Sequence, residues 1–165
     1  MKVTLVPATA RQAKAIANLR ITVHERLTRD FGRGPWSSTV TEKGVLYALR
    51  TSRVYIARDG RAIIGTLQLA TKKPWAIDPS YFTDSRRPLY LTAMAVRPSR
   101  QRHGIGRAIL EDVTHIARAW PADAIRLDAY DLAGGAGDFY AKCGYRETGR
   151  VTYRNTPLIY YELLL

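Results

Sequence analysis

The chain has 165 residues, of which 46% are hydrophobic, and this size and composition suit one globular domain with a buried core. We therefore expect a single domain over residues 1–165. The sequence lacks an apolar run of the roughly 18 residues that a membrane-spanning helix needs, and its N-terminus lacks a signal-peptide pattern. One cysteine, Cys143, excludes an internal disulfide and a cysteine-rich metal site. We expect a cytoplasmic protein with no metal site and no membrane association.

Basic residues are in clear excess, with 26 Lys and Arg against 14 Asp and Glu and a formal net charge of +12. Such an excess favours acidic substrates, phosphorylated cofactors or polyanions as ligands. Nucleic-acid binding is the weakest of these interpretations, because the chain has no basic stripe interleaved with aromatic residues and no recognition motif. Four arginines lie in one short segment beside His103: Arg97, Arg100, Arg102 and Arg107.

Apolar spacing and turn residues predict the elements of the first half of the chain. They are a strand at residues 3–6, helices over residues 13–20 and 40–49, and strands at residues 53–58 and Ala62–Ala70. Asp59-Gly60 is a strong turn signal that makes the last two strands a hairpin. Residues 22–39 contain two glycines and a proline, which predict a mobile loop.

The second half begins with a predicted irregular loop at residues 73–88, where prolines separate aromatic residues. The predicted elements are a strand at residues 90–96, a helix from Ile105 that ends before Pro121, a strand at Ala124–Tyr130, a short helix at residues 138–143, and strands at Arg146–Tyr153 and residues 158–164 joined by a turn at residues 155–157. This order predicts a mixed sheet flanked by helices.

Residues 101–106 (Gln-Arg-His-Gly-Ile-Gly) stand between a predicted strand and an amphipathic helix. Backbone N–H groups and the helix dipole favour an anion at such a position. Glycines let the oxygens of a ligand approach the backbone, and neighbouring arginines can add charge-assisted hydrogen bonds to phosphate. The segment therefore predicts a pyrophosphate site.

Two other nucleotide motifs fit this segment less well. A Walker loop needs Gly-Lys-Ser/Thr, which is absent. The Rossmann fingerprint matches Gly104 and Gly106 and finds Asp128 near the acidic spacing, but Ile109 occupies its third small position. A hairpin before the motif strand also departs from the strand-helix alternation of a dinucleotide fold.

The strand end Met94-Ala95-Val96-Arg97-Pro98 precedes the pattern Gln/Arg-x-x-Gly-x-Gly/Ala, and Phe139-Tyr140-x-x-x-Gly144-Tyr145 follows downstream. In these motifs, and in the order of its elements, the chain resembles the GNAT superfamily of N-acetyltransferases. The likeness in residues is strong over residues 90–145. It implies an α/β (α+β) three-layer fold, with a central mixed, mostly antiparallel sheet of about seven strands flanked by about four helices.

The resemblance also implies acetyl-CoA as the acetyl donor. Its pantetheine arm would bond the backbone of the motif strand, where one N–H group would polarise the thioester carbonyl, and the turn and helix start would hold the pyrophosphate. The residues implied in donor binding are Met94, Ala95, Val96, Gln101, Arg102, His103, Gly104, Ile105, Gly106 and Arg107.

Acetyl transfer to an amine also needs a base and a proton for the leaving thiolate. Tyr140 matches the family's tyrosine and is predicted as the general acid. The alternative role for Tyr140 is that of an aromatic residue in the core. Tyr130 could replace Tyr140 as the general acid. The base is left open between Asp128 and Glu25, because the motif strand has no acidic residue and Arg126 occupies a candidate position on the next strand. Asp128 would serve equally as a salt-bridge partner.

The acceptor is predicted to be a primary amine of a small molecule, framed by residues 22–39, residues 73–87 and the final hairpin. Carboxylates could receive a cationic amine, and aromatic side chains could form an apolar wall. These candidates are Asp30, Asp78 and Asp84, with Trp36, Trp75, Tyr81 and Phe82. Cys143 is expected to be a buried small residue, with His24 and His115 at the surface.

The alternative to an enzyme is a catalytically silent acetyl-CoA-binding sensor or partner protein. The sequence leaves the oligomeric state open, including a homodimer.

Overall fold

The structure is a computed structural model that describes residues 2–165, and the chain divides into two compact units. The first contains residues up to Ala70 together with residues 92–113, and the second contains residues 71–91 and 114–165. The strands are β1 (Leu5–Pro7), β2 (Arg53–Asp59), β3 (Ala62–Ala70), β4 (Pro88–Val96), β5 (Ala124–Tyr130), β6 (Arg146–Tyr153) and β7 (Thr156–Leu164). The helices are α1 (Ala13–Phe31), α2 (Glu42–Thr51), α3 (Ile105–Ala119) and α4 (Gly137–Lys142).

The seven strands form a mixed sheet in the order β1-β2-β3-β4-β5-β7-β6. β4 and β5 are parallel, whereas the β1–β2, β2–β3, β5–β7 and β6–β7 pairs are antiparallel. Seven strands and four α-helices in a mixed, mostly antiparallel α/β arrangement confirm the predicted fold class. Within residues 2–165, no helix combines the length and apolar character needed to cross a membrane.

In the first unit, α1 and α2 bury their apolar faces against β2 and β3. The buried cluster contains Ile16, Leu19 and Val23 from α1, Val45 from α2 and Ile56 from β2. Removal of these aliphatic side chains from water stabilises the unit by roughly 1.5–3 kcal/mol per side chain. The helices thus lie where their apolar spacing predicts a core-facing stripe.

Helix α1 is longer than predicted, and the interpretation of residues 22–39 as a loop was wrong for its first part. The helix continues to Phe31 and ends at Gly32, whose N–H group donates to the Thr28 carbonyl at 2.8 Å. Val23 and half-buried Leu27 continue the apolar stripe by one residue per turn. Gly32 has φ 80°, which suits a glycine at a helix end.

In the second unit, β5, β7 and β6 pair in turn, and β7 supplies Tyr160 to a cluster with Ile77, Phe82 and Tyr90. The β6–β7 turn is tighter than predicted, because Thr156 and the residue after it already belong to β7. Arg154 and Asn155 make the turn with φ 47° and 64°, the positive values that a two-residue hairpin turn requires.

Candidate active site

The predicted phosphate turn lies in the first unit, after the end of β4. Residues 101–104 are exposed, and helix α3 begins at Ile105. Arg102 and Gly104 adopt left-handed backbone conformations with φ 62° and 78°. The Ala108 N–H group donates to the Gly104 carbonyl at 3.0 Å, so the N–H groups of the preceding turn have no acceptor within the helix. The arrangement is an exposed helix start of the kind that binds anions.

Polar contacts within the first unit fix this turn. Gln101 Nε2 donates to the Val96 carbonyl at 2.9 Å, and Arg97 Nη2 donates to the Ile63 carbonyl at 2.9 Å. Arg100 forms an ion pair with Asp59. Of the four clustered arginines, Arg97 and Arg100 therefore hold the turn in place.

Besides Gln101, three side chains of the turn and first helical turn are exposed: Arg102, His103 and Arg107. Within residues 2–165, Arg102 has no ion-pair partner, so its guanidinium is available to an anionic ligand. Ile105 differs, because its side chain is 2% exposed and belongs to the core. If Ile105 contacts a ligand, it can do so only through its backbone.

Strand β4 changes conformation before it reaches the turn. Ala93 has φ 51°, which is rare for a residue other than glycine and costs of order 1–3 kcal/mol. The preceding residues, Pro88 to Tyr90, pair in parallel with β5. Met94 and Val96 are half-buried and Ala95 is 7% exposed. The three residues predicted to bind the pantetheine arm therefore follow directly on a strained position, which no local sequence pattern predicted.

Tyr140 lies in the second unit, on α4, in a cluster of aromatic rings. Its ring centroid is 5.3 Å from that of Phe139, 5.8 Å from that of Tyr145 and 6.2 Å from that of Tyr161. Burial raises the pKa of Tyr140, with further contributions from Asp128 and Cys143. The phenol therefore keeps its proton at neutral pH, as a general acid must. The same burial fits a core aromatic, so its catalytic role stays a prediction.

Asp128 on β5 is a half-buried carboxylate in the same unit. Burial raises its pKa, and within residues 2–165 no cation lies within ion-pairing distance of it. It is therefore not the salt-bridge partner that the sequence allowed. Arg126, two residues before Asp128 on the same strand, instead donates to Tyr90 Oη at 3.1 Å and to the Thr83 carbonyl at 2.7 Å.

The residues predicted to frame the acceptor do not all line one cavity. Trp75, Asp78 and Tyr81 line one cavity of the second unit, together with Tyr153 and Tyr160. Phe82 is 8% exposed and packs on Tyr160, so it does not form a wall there. In the first unit, Asp30 pairs with Arg26 at 2.8 Å, and Trp36 lines a different cavity.

Two further predictions need correction. His24 is half-buried rather than at the surface, and its Nδ1 atom is buried without a hydrogen-bond partner among the described residues. Cys143 is half-buried rather than buried. His115 is exposed, as predicted.

Residues 50–147 match the family described as Acetyltransferase (GNAT) domain, which covers the predicted donor segment and Tyr140. The chain therefore belongs to the GNAT acetyltransferase family. No curated protein matches it.

Solved structures share this fold along nearly the whole chain. An N-acetyltransferase from Staphylococcus aureus Mu50 is 13% identical, with a TM-score of 0.71 and 99% of each chain covered. A ribosomal-protein-alanine N-acetyltransferase from Brucella melitensis is 15% identical, with a TM-score of 0.72, 98% of this chain and 99% of that chain covered. A putative acetyltransferase from Salmonella typhimurium, solved with its cofactor acetyl-CoA, is 17% identical, with a TM-score of 0.67, 100% of this chain and 95% of that chain covered.

Proposed function

We propose that this protein is an N-acetyltransferase that transfers an acetyl group from acetyl-CoA to the primary amine of a small molecule. The observation that carries the proposal is the exposed turn of residues 101–104 at the start of α3, with left-handed Gly104 and an arginine that has no ion pair among the described residues. Membership of the GNAT family supports the chemistry. The Salmonella protein with acetyl-CoA supports the choice of donor.

The donor's phosphates suit the residues present. Gly104 has no atom within 4 Å of the position that a Cβ would occupy, so a phosphate can approach its backbone. Arg102, His103 and Arg107 are exposed on the same turn and helix start, and the guanidinium groups can form charge-assisted hydrogen bonds to phosphate. Gln101 and Ile105 would support the turn, since the Gln101 amide holds Val96 and the Ile105 side chain is in the core.

Met94, Ala95 and Val96 would bind the pantetheine arm through their backbone, with one N–H group polarising the thioester carbonyl. When bound, acetyl-CoA supplies an activated acetyl group and a thiolate leaving group. The chain must then supply polarisation of that carbonyl, removal of a proton from the amine and delivery of a proton to the thiolate.

Tyr140 is our candidate for the proton donor, and Asp128 is the base that its environment favours. Burial without a cation raises the pKa of Asp128, which moves the carboxylate towards the range in which it accepts a proton near neutral pH. Glu25 on α1 is exposed, and no comparable environment distinguishes it as a base.

Thermal unfolding with acetyl-CoA, CoA or a short DNA duplex tests donor binding, because a ligand that binds the folded state raises its stability. We expect both CoA species to raise the Tm, and the Arg102→Gln variant to show a smaller rise. Absence of a shift with either species would exclude the proposal, and a shift with DNA alone would favour a nucleic-acid-binding protein.

Release of free thiol across a panel of amines then tests turnover. An amine-dependent rate supports the enzyme. Binding of acetyl-CoA with no thiol release from any amine in the panel would instead favour the silent sensor or partner protein.

A further inference from the structure

A cavity of about 600 Å³ opens in the first unit, between the C-terminal half of α1 and the segment at residues 33–40. Its lining includes three charged side chains (Glu25, Arg29 and Arg33), together with Thr28, His24 and Trp36. The mixture of charge, hydroxyl and aromatic surface is typical of a site for a small polar ligand.

Hydrogen bonds fix the wall of this cavity. Thr28 Oγ1 lies 3.1 Å from Ser37 Oγ, and the Gly34 N–H group donates to the same Ser37 oxygen at 3.0 Å. Trp36 is 9% exposed, and its Nε1 donates to the Gly32 carbonyl at 3.1 Å. The segment after α1 therefore packs against the helix and gives the cavity a defined shape before any ligand binds.

The charged groups around the cavity are not neutralised by one another. Glu25 and Arg29 stand four residues apart on α1, a spacing that favours an ion pair, and Arg26 and Asp30 on the same helix do pair at 2.8 Å. Within residues 2–165, by contrast, neither Glu25, Arg29 nor Arg33 forms an ion pair. Charges of both signs at one cavity suit a ligand that itself carries both signs.

His24 adds no positive charge to this surface. Burial lowers its pKa, the positive charge of Arg20 lowers it further, and a hydrogen bond with the Ser38 backbone raises it less. The imidazole is therefore neutral near neutral pH. A ligand ammonium group at Glu25 would meet no cationic imidazole on the same helix.

We infer that this cavity binds a carboxylate-bearing primary amine of the α-amino-acid class, with the carboxylate at Arg29 and Arg33 and the ammonium group at Glu25. A guanidinium recognises a carboxylate through paired N–H donors, and half-buried Ile21 with Trp36 supplies apolar surface for the side chain of the ligand. The net charge of +12 also attracts the carboxylate. That this ligand is the acetyl acceptor rests on the proposed function.

Isothermal titration of the full chain saturated with CoA tests the inference with matched pairs of ligands. Each pair consists of an amino acid and the amine that lacks its carboxylate: phenylalanine and phenethylamine, leucine and 3-methylbutylamine, lysine and cadaverine. We expect the amino acid of at least one pair to bind about tenfold or more tightly than its amine. Equal or weaker binding of the amino acid in all three pairs would overturn the inference.

Substitutions test whether Arg29 and Arg33 cause the preference for an amino acid over the amine that lacks its carboxylate. The double variant Arg29→Gln and Arg33→Gln should reduce it to less than about threefold. Arg26→Gln, a change of the same chemistry one residue from Glu25, is the matched control and should leave the preference intact, because Arg26 pairs with Asp30 and does not line the cavity. A preference that survives the double variant would overturn the assignment. Circular dichroism checks that each variant is folded.

The failure of this inference can be separated from failure of the proposed function. Binding with the expected preference but no thiol release would contradict acetyl transfer and leave the cavity assignment standing. Thiol release from amines with no preference for a carboxylate in either binding or kcat/KM would support the enzyme and overturn the cavity assignment.

Discussion

Gly65 of β3 and Ile109 of α3 approach so closely that a Cβ added to Gly65 would lie 2.7 Å from Ile109 Cδ1. Ile109 is fully buried, and the Ala95 carbonyl lies 3.4 Å from the same added atom. The Ile109 side chain therefore has little space into which it could move. The glycine permits α3, the helix that begins at the phosphate turn, to pack directly on the strand.

We predict that Gly65→Ala lowers the free energy of unfolding by about 1–3 kcal/mol, because the added methyl group overpacks a full core. Urea unfolding monitored by circular dichroism measures the change. Gly44→Ala is the control, since its added Cβ meets only Thr41 Oγ1 at 3.3 Å and alanine is the better helix former. Equal stability of Gly65→Ala and the wild type would show that Ile109 adapts.

Arg102 and Arg100 provide a matched test of the phosphate turn. We expect Arg102→Gln to weaken CoA binding by roughly 1–2 kcal/mol, about fivefold to thirtyfold, through loss of a charge-assisted contact. Arg100→Gln should weaken it much less, because Arg100 is already paired with Asp59. Calorimetric titration with CoA measures both, and equal losses would argue that only net charge attracts the donor.

The kinetics of acetyl transfer by variants at Tyr140 and Asp128 test the proposed roles of these residues as general acid and base. Tyr140→Phe and Asp128→Asn should each lower kcat by about 10²–10⁴-fold if they carry the two proton transfers, while acetyl-CoA binding stays within about threefold of the wild type. Tyr130→Phe is the control for Tyr140. If Tyr140→Phe keeps its rate and Tyr130→Phe loses it, the roles of the two tyrosines are reversed.

Local signals explain which parts of the fold the sequence could predict. The β2–β3 hairpin was predicted correctly because β-branched runs flank Asp59-Gly60. The end of α1 was missed because polar residues dominate its last turns. Val23, Leu27 and exposed Phe31 stand at helical spacing before Gly32, one apolar residue per turn, which is a weak signal.

The candidate site also has features that the sequence could predict and features that it could not. The turn at residues 101–106 could be predicted because glycine and arginine carry their chemistry locally. The left-handed conformation of Ala93, the close approach of Gly65 to Ile109 and the absence of a cation at Asp128 depend on neighbours distant in sequence. The sequence alone could not reveal these features, because tertiary packing determines them.

Tyr145 and Tyr160 are both buried, but among the described residues only the Tyr160 hydroxyl group has hydrogen-bond partners. Within residues 2–165, Tyr145 Oη has no hydrogen-bond partner, whereas Tyr160 Oη accepts from the Asp78 N–H group at 3.1 Å and donates to the Ala76 carbonyl. We predict that Tyr145→Phe changes stability little or raises it by up to about 1 kcal/mol, while Tyr160→Phe costs about 1–3 kcal/mol. Urea unfolding of the pair measures the difference, and equal losses would indicate that Tyr145 has a partner.

Glu162 should contribute stability that depends on pH. Its side chain is buried, which raises its pKa, but hydrogen bonds from Thr83 and Arg146 outweigh burial and lower the pKa below its usual value. A carboxyl group with a lowered folded-state pKa stabilises the fold above its unfolded pKa of about 4.3. The contribution is lost as the pH falls through the folded-state pKa.

We therefore expect Glu162→Gln to be about 1–3 kcal/mol less stable than the wild type near neutral pH. The two unfolding free energies should converge as the pH falls below the unfolded pKa of about 4.3 and through the lower folded-state pKa of Glu162, because the wild-type carboxyl is then protonated. Glu147→Gln is the control, because Glu147 forms an exposed pair with Arg150 and such pairs contribute at most about 1 kcal/mol. Urea unfolding across this pH range measures the effect. A difference between Glu162→Gln and the wild type that stays constant with pH would show that the substitution acts through packing rather than through the charge of Glu162.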